Sequence, residues 1–344
     1  AVDKIKVKNP KGLASNLDMY NEGQAVIVGG LEITKEKYGE ATEVTVDMPI
    51  EQGGVYFVST NNVRLTYNLG TTGVDNLIIV PTTKDVTTIN LVVSKQIYLK
   101  GMFACQNVTL LNQVPNAASF HYPLRIIAEQ NINIVLDGCK VNGLVPTKGF
   151  AMKSSEVSAV SVDNFIIHNS DINLAQSGAA LYLLTQMSCK NISLDNNLIY
   201  ASSLDGNVTE FKIFNGNGLT VETLNLTSNT LIDIESSGAS LYGLVRAAKV
   251  LKATVKDNLY WLSDAAKAAY FFTGASTLVE SLDSSDNFGY SVSDKPLRMF
   301  QNTAIDPDVK LVEGLFNTTD PATFNKSTGT FIPKEGYTQY GAQR

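Results

Sequence analysis

The chain has 344 residues, 27 Lys and Arg against 33 Asp and Glu, and a net charge of −6. Charged residues make up only 17%, with Asn, Ser, Thr and Gly taking their place, a composition that favours strands and turns over helices. The negative balance argues against nucleic acid, which requires a basic face, and no apolar run approaches the length of a transmembrane helix.

The opening AVDKIKVKNP is polar and reads as a mature or trimmed start. LASNLDMY follows as a one- or two-turn amphipathic helix. The stretches QAVIVGGLEIT, TEVTVDM, GVYFVST and VRLTYNL alternate as strands. Residues 1–85 break the period found later, and we read them as an N-terminal cap with irregular first rungs. A separate small β-sandwich is the alternative.

From residue 86 the sequence repeats. CQNVTLLN at 105–112 returns as CKNISLDN at 189–196, with weaker copies between them at QNINIVLDG and DNFIIHN. Anchoring on Asn107, Asn131, Asn164 and Asn191 gives intervals of 24, 33 and 27 residues, so the octapeptides stand three periods apart. Asn197, Asn229, Asn258 and Asn287 continue at 32, 29 and 29. A copied ligand motif would not march along the sequence in this way; a repeat architecture would. Each unit offers one alternating strand after the anchor, a tight Asn/Asp/Gly corner, a second short strand (DINLA, LIYAS, TLIDI, LYWLS, FGYSV) and, after a variable loop, a third (PLRIIA, AALYLL, TEFKIF, ASLYGLV, AYFFTG). There is no room for a helix in each unit. The expectation is an all-β, single-stranded right-handed parallel β-helix with three short strands per rung over residues 86–295 and a C-terminal strap over 296–344. Val108, Ile132, Phe165, Ile192, Leu224 and Ala253 should form one inward column. Tyr200, Ile232, Trp261 and Tyr290 should form another, shared with Ile172.

INLVVSKQIYLKGM (89–102), IDPDV (305–309) and GTFIPKEGYTQYGAQR (329–344) carry a resemblance. The protein resembles right-handed β-helix proteins of the pectin-lyase-like superfamily, and more narrowly the cell-envelope β-helix proteins of gut Bacteroidetes. The resemblance implies a location in the envelope or outside the cell. It leaves activity open, because such folds serve lyases, hydrolases, adhesins and inert stalks.

The candidates for chemistry are few. Asp137, Asp195, Asp257 and Asp286 recur near one corner, where stacked carboxylates could share calcium, but His168 and Ser228 intervene, so turn geometry is the simpler reading. His121 and His168 lack an adjacent nucleophile and make a poor metal pair. The N-x-D, D-D and G-H-G motifs of the glycoside hydrolases with this fold are absent. Arg125 and Arg246 lie in otherwise apolar third strands, where an outward guanidinium could hold a glycan carboxylate. Tyr182 and Tyr242 nearly align with Phe271 and could stack on a sugar. Of six N-x-S/T sequons, Asn107 and Asn191 coincide with repeat anchors. Cys105, Cys139 and Cys189 are odd in number, and buried free thiols are the expected state, with a Cys105–Cys139 bridge as the alternative. The functional expectation is a non-catalytic envelope or secreted protein that binds or displays glycan through Tyr182, Tyr242, Arg125 and Arg246. A polysaccharide lyase or glycoside hydrolase on an acidic glycan is the alternative, and a structural scaffold the third reading. No cofactor is expected, calcium entering only with the lyase. The expected partner is a polysaccharide or surface glycan, with no nucleic acid, and the expected state is a monomer.

Overall fold

A computed structural model describes residues 14–114, 122–142, 149–173, 181–200, 209–235, 243–263, 268–273, 277–292, 295–301, 309–317 and 332–343. The protein is a parallel β-solenoid, 61% strand and 4% helix.

Three series of parallel pairings run along it. The first face stacks strands from Ala41–Val44 through Gly54–Val58, Ile132–Asp137, Ser161–His168 and Ser188–Asp195 to Leu278–Ser285. The second is an 11-stranded sheet from Met48–Ile50 to Val309–Leu311. The third joins Leu124–Ile126, Gly149–Lys153 and Leu181–Thr185 to the start of the long strand Thr209–Thr227. Parallel pairing is already regular at Ala41, well before residue 86.

The corner between first and second faces explains the Asn, Asp and Gly of the repeat. Asn107, Gly138, Asn169, Asn196, Ser228, Asp257 and Asp286 all have φ between 50 and 64°, a left-handed backbone that Gly, Asn and Asp adopt most cheaply. The next residue begins the second face and points inward, and from Asn197 onward it is always asparagine. Asn197, Asn229, Asn258 and Asn287 are buried and form a ladder. Each side-chain amide donates to the next carboxamide oxygen, at 3.0, 3.1 and 2.8 Å down the series. The same oxygens accept the backbone N–H of the preceding rung at 2.9–3.3 Å. Buried amides thus meet their donors and acceptors inside the coil.

The octapeptides prove to be different parts of the rung. Ile192 and Leu194 of CKNISLDN lie on the first face, whereas Val108 and Leu110 of CQNVTLLN lie on the second. The anchor column reads Phe103, Ile134, Phe165, Ile192, Leu224, Ala253 and Leu282. Phe165, Ile192, Leu224 and Ala253 share it as expected. Val108 and Ile132 are buried but stand elsewhere, Val108 opposite Ile89 and Ile132 opposite Val162. Both faces alternate with period two and both use asparagine, so the pattern matched across faces.

Two segments cover the outside of the coil. The helix Asn16–Asn21, capped by Ser15, and the hairpin Val26–Val28/Leu31–Ile33 pack on the outward side of the first face, against Val55, Ile78, Ala104, Val135 and Ile166. Gly29 permits this approach: a Cβ there would lie 2.5 Å from a Val135 methyl carbon. Residues 332–343 lie along the second face, where Gly341 N donates to Asp257 O at 2.7 Å and Ala342 N to Thr230 Oγ1 at 2.9 Å. Beneath them sit Leu198, Tyr200, Ile232, Leu259, Trp261 and Phe288. Trp261 is fully buried, as expected of a packing residue, but it points out of the coil; Tyr260 and Leu231 are the inward residues. Ile172 aligns with Ile199 rather than Tyr200 and belongs to the interior. An outward aromatic row became apolar packing because the C-terminal segment folds back over it.

Candidate functional site

The third face carries the predicted arginines. Its outward register runs Tyr98, Arg125, Met152, Thr185, Asn215 and Arg246, so the two arginines share one column, four rungs apart. At about 4.8 Å per rung that is roughly 19 Å. They are not brought together, and their surroundings differ.

Arg125 is occupied by its own fold. Its Nε donates to Ser154 Oγ at 3.1 Å, its Nη1 to the Tyr98 hydroxyl at 3.3 Å, and its guanidinium lies 5.2 Å from the Tyr98 ring centre. Glu156 stands 4.0 Å away, and the arginine is 11% exposed. Such a group braces the face.

Arg246 opens into a cavity of about 450 Å³ where the third face turns into the first. Lys153, Thr185, Ser188, Asn215 and Asn217 line it with Arg246, and among the described residues no carboxylate does. Among the polar atoms of this wall that are buried without a hydrogen-bond partner within the protein are Arg246 Nε and Asn215 Oδ1. One is a donor, the other an acceptor, and they belong to register partners on adjacent rungs. Buried polar atoms nearly always find partners, and a ligand offering an acceptor and a donor at rung spacing could satisfy both. Lys153 Nζ, on the same wall, donates to the carbonyls of Ser154 and Val157 and supplies a second positive charge. Leu219 adds apolar surface.

The remaining described candidates stand outside the lining of this cavity. Tyr182 is half-buried and aligned with Gly149 and Lys212. Phe271 is buried in the interior against Tyr260. Tyr242 and His121 lie outside the described residues.

The corner acids divide into two columns, a correction to the single column expected. Asp137, His168 and Asp195 align with Gln106 and Thr227, while Asp257 and Asp286 occupy the left-handed position one residue later, in the column of Ser228. His168 faces outward as expected, with Nδ1 3.3 Å from Asp137 and Nε2 3.2 Å from Asp195. The two carboxylates lie on opposite sides of one imidazole, so they do not converge on a common point. Asp137 also accepts from Gln106 Nε2 at 3.0 Å and Gly29 N at 3.3 Å, and Asp195 accepts from Thr227 Oγ1. This column ties rungs together and ties the hairpin to them. Among the described residues no group of three or more His, Cys, Asp or Glu could hold a metal ion.

Sequence reasoning found Arg246 but missed Lys153, Asn215 and Asn217. One signal was present: FNGNGL, with two Asn–Gly pairs interrupting a strand. Comparison with protein-family models, with curated proteins and with solved structures finds no match to this protein.

Proposed function

We propose that this is a non-catalytic envelope or secreted β-solenoid, akin to the pectin-lyase-like and Bacteroidetes envelope proteins it resembles, that binds glycan in the Arg246 cavity. The observation that carries the reading is the unpartnered pair Arg246 Nε and Asn215 Oδ1 on adjacent rungs. A sugar with neighbouring hydroxyls, or a hydroxyl beside a carboxylate, offers both an acceptor and a donor at that spacing. The described lining, with Lys153 and Arg246 and no acid, favours a glycan bearing negative charge. The test is a glycan array followed by calorimetry on hits with wild-type protein and Arg246→Ala. A hydrogen bond to a charged group contributes about 1.5–3 kcal/mol, so the variant should bind at least tenfold more weakly. An array without hits, or hits indifferent to Arg246→Ala, would remove the proposal.

The alternative is a lyase on an acidic glycan. The same arginine favours it, because the lyases of the resembled superfamily use Arg or Lys as the base beside a uronate. Ultraviolet absorption from new double bonds, produced by wild type and lost in Arg246→Ala, would establish that reading over mere binding.

A further inference from the structure

We propose that Asn217 is a site of self-modification, where the protein turns its own side-chain amide into a carboxylate at the mouth of the Arg246 cavity. The reaction requires an exposed asparagine, a following backbone nitrogen able to reach its Cγ, and no substituent on the following Cα to block the approach. FNGNGL supplies two Asn–Gly pairs, and the fold treats them differently.

Asn217 and Gly218 are both exposed. The pairing with the neighbouring rung jumps from Gly216↔Ala247 to Thr220↔Lys249, so residues 217–219 stand opposite Ala248 alone, outside the paired ladder. A bulge of this kind frees the local backbone from sheet geometry. Gly218 has φ +81°, with nothing within 4 Å of where a Cβ would be. Asn215 is the internal control. It is half-buried and in register with Thr185 and Arg246, and its carbonyl accepts Gln186 N at 3.2 Å. Gly216 is packed against Leu219 and Phe214.

The step balances with water as the one added reagent. Gly218 N, losing its proton, attacks Asn217 Cγ. A new C–N bond forms there, and the bond from Cγ to the amide nitrogen Nδ2 breaks, releasing ammonia. The resulting five-membered imide takes up one water and opens at either carbonyl. One opening yields aspartate, the other an isoaspartyl linkage carrying an extra backbone carbon. Each conversion adds one negative charge to a wall that holds Lys153 and Arg246, setting a clock on the charge of the cavity.

The test incubates the folded, full-length protein at mildly alkaline pH and follows it by peptide mass spectrometry and isoaspartyl methyltransferase labelling. The expected result is aspartate and isoaspartate at 217 with Asn215 intact, and an acidic band on charge separation that Asn217→Gln or Gly218→Ala removes. Two results would overturn the proposal: Asn217 unchanged in the folded protein while the same residue converts in the released peptide, or conversion at Asn215 ahead of Asn217.

Discussion

Asn229 donates its side-chain amide to Asn258 Oδ1 at 3.1 Å, and that same oxygen accepts the backbone N–H of Asn229 at 3.0 Å. One carboxamide therefore satisfies two donors of the rung before it, and Asn229 does the same for Asn197. The second Nδ2 hydrogen of Asn229 goes to Leu194 O at 2.9 Å, which closes the corner onto the first face.

Replacing Asn229 by Ala strips partners from both neighbours at once. The backbone N–H of Asn197, its side-chain amide and the Leu194 carbonyl would each be left buried, and one such group costs about 1–3 kcal/mol. We expect Asn229→Ala to destabilise the protein by about 3 kcal/mol or more by chemical denaturation. Asn107→Ala, at an exterior left-handed corner, should cost less. Equal costs would mean that the ladder contributes no more than a turn residue.

The C-terminal cover predicts a fluorescence change. Trp261 is the single tryptophan, and it is buried between the outside of the second face and a cover that includes Leu315, Phe316, Tyr337 and Tyr340. Tyr337 and Tyr340 pack on Phe288 at 5.0 and 4.8 Å between ring centres. Deleting residues 332–344 should shift Trp261 emission to the red and cost about 3 kcal/mol or more, since burying one aromatic residue is itself worth about 1.5–3 kcal/mol. Unchanged emission would place Trp261 inside the coil after all. The same deletion leaves a contiguous apolar strip on the surface, a setting for association.

Much of the coil was legible because alternation reports one buried face wherever a strand is half-exposed. The second-strand stretches and most third-strand stretches were found directly. What alternation cannot report is which face of the rung a strand occupies, and so Val108 was matched to Ile192. Nor does it separate the interior from an outer strip covered by another segment. Ile166 and Ser193 make the point. They are register partners on the outside of the first face, and the outward column is Val55, Ile78, Ala104, Val135 and Ile166 before that step, then Ser193, Asn225, Thr254 and Asp283 after it. The change from apolar to polar marks where the N-terminal hairpin ends, a signal visible only once the register is known. The cavity was less legible still. Arg246 stood out as a cation in an apolar strand, but its place beside Asn215, 31 residues earlier in sequence and one rung away, follows only from the register.

The cysteines give a test of the interior. Cys105, Cys139 and Cys189 are free and buried, and burial pushes the Cys139 thiol up to about 12 and raises the other two. The thiolate is the reactive form, so at pH 8 none of the three should react with a thiol reagent in the native protein. All three should react once the protein is unfolded in denaturant. Cys105 lies at the end of its first-face strand and Cys189 at the start of another, roughly three rungs or 14 Å along the axis, beyond the reach of a disulfide. Rapid labelling of any cysteine in the native protein would show that the coil opens locally far more often than its packing implies.

Asp257 provides the pH test. Its carboxyl is raised above the ordinary value by burial and then by Asp286 on the next rung, with Lys256 offsetting part of the rise. The sign follows from which state holds the proton. Because the folded protein keeps this proton to higher pH than the unfolded one, stability falls as pH rises from the ordinary carboxylate value through the raised one. Above that window the full penalty is present, and well below it there is none. Asp257→Asn removes the charge while keeping a residue that tolerates the left-handed φ of 59° found there. The variant should therefore be slightly more stable than wild type at pH 7, by no more than about 0.5 kcal/mol for a surface position. At pH 3, where both states of the wild type carry the proton, the two proteins should match. Melting temperatures at the two pH values give the measurement. A variant less stable than wild type at pH 7 would show that the Asp257 carboxylate makes a favourable contact that outweighs its repulsion from Asp286.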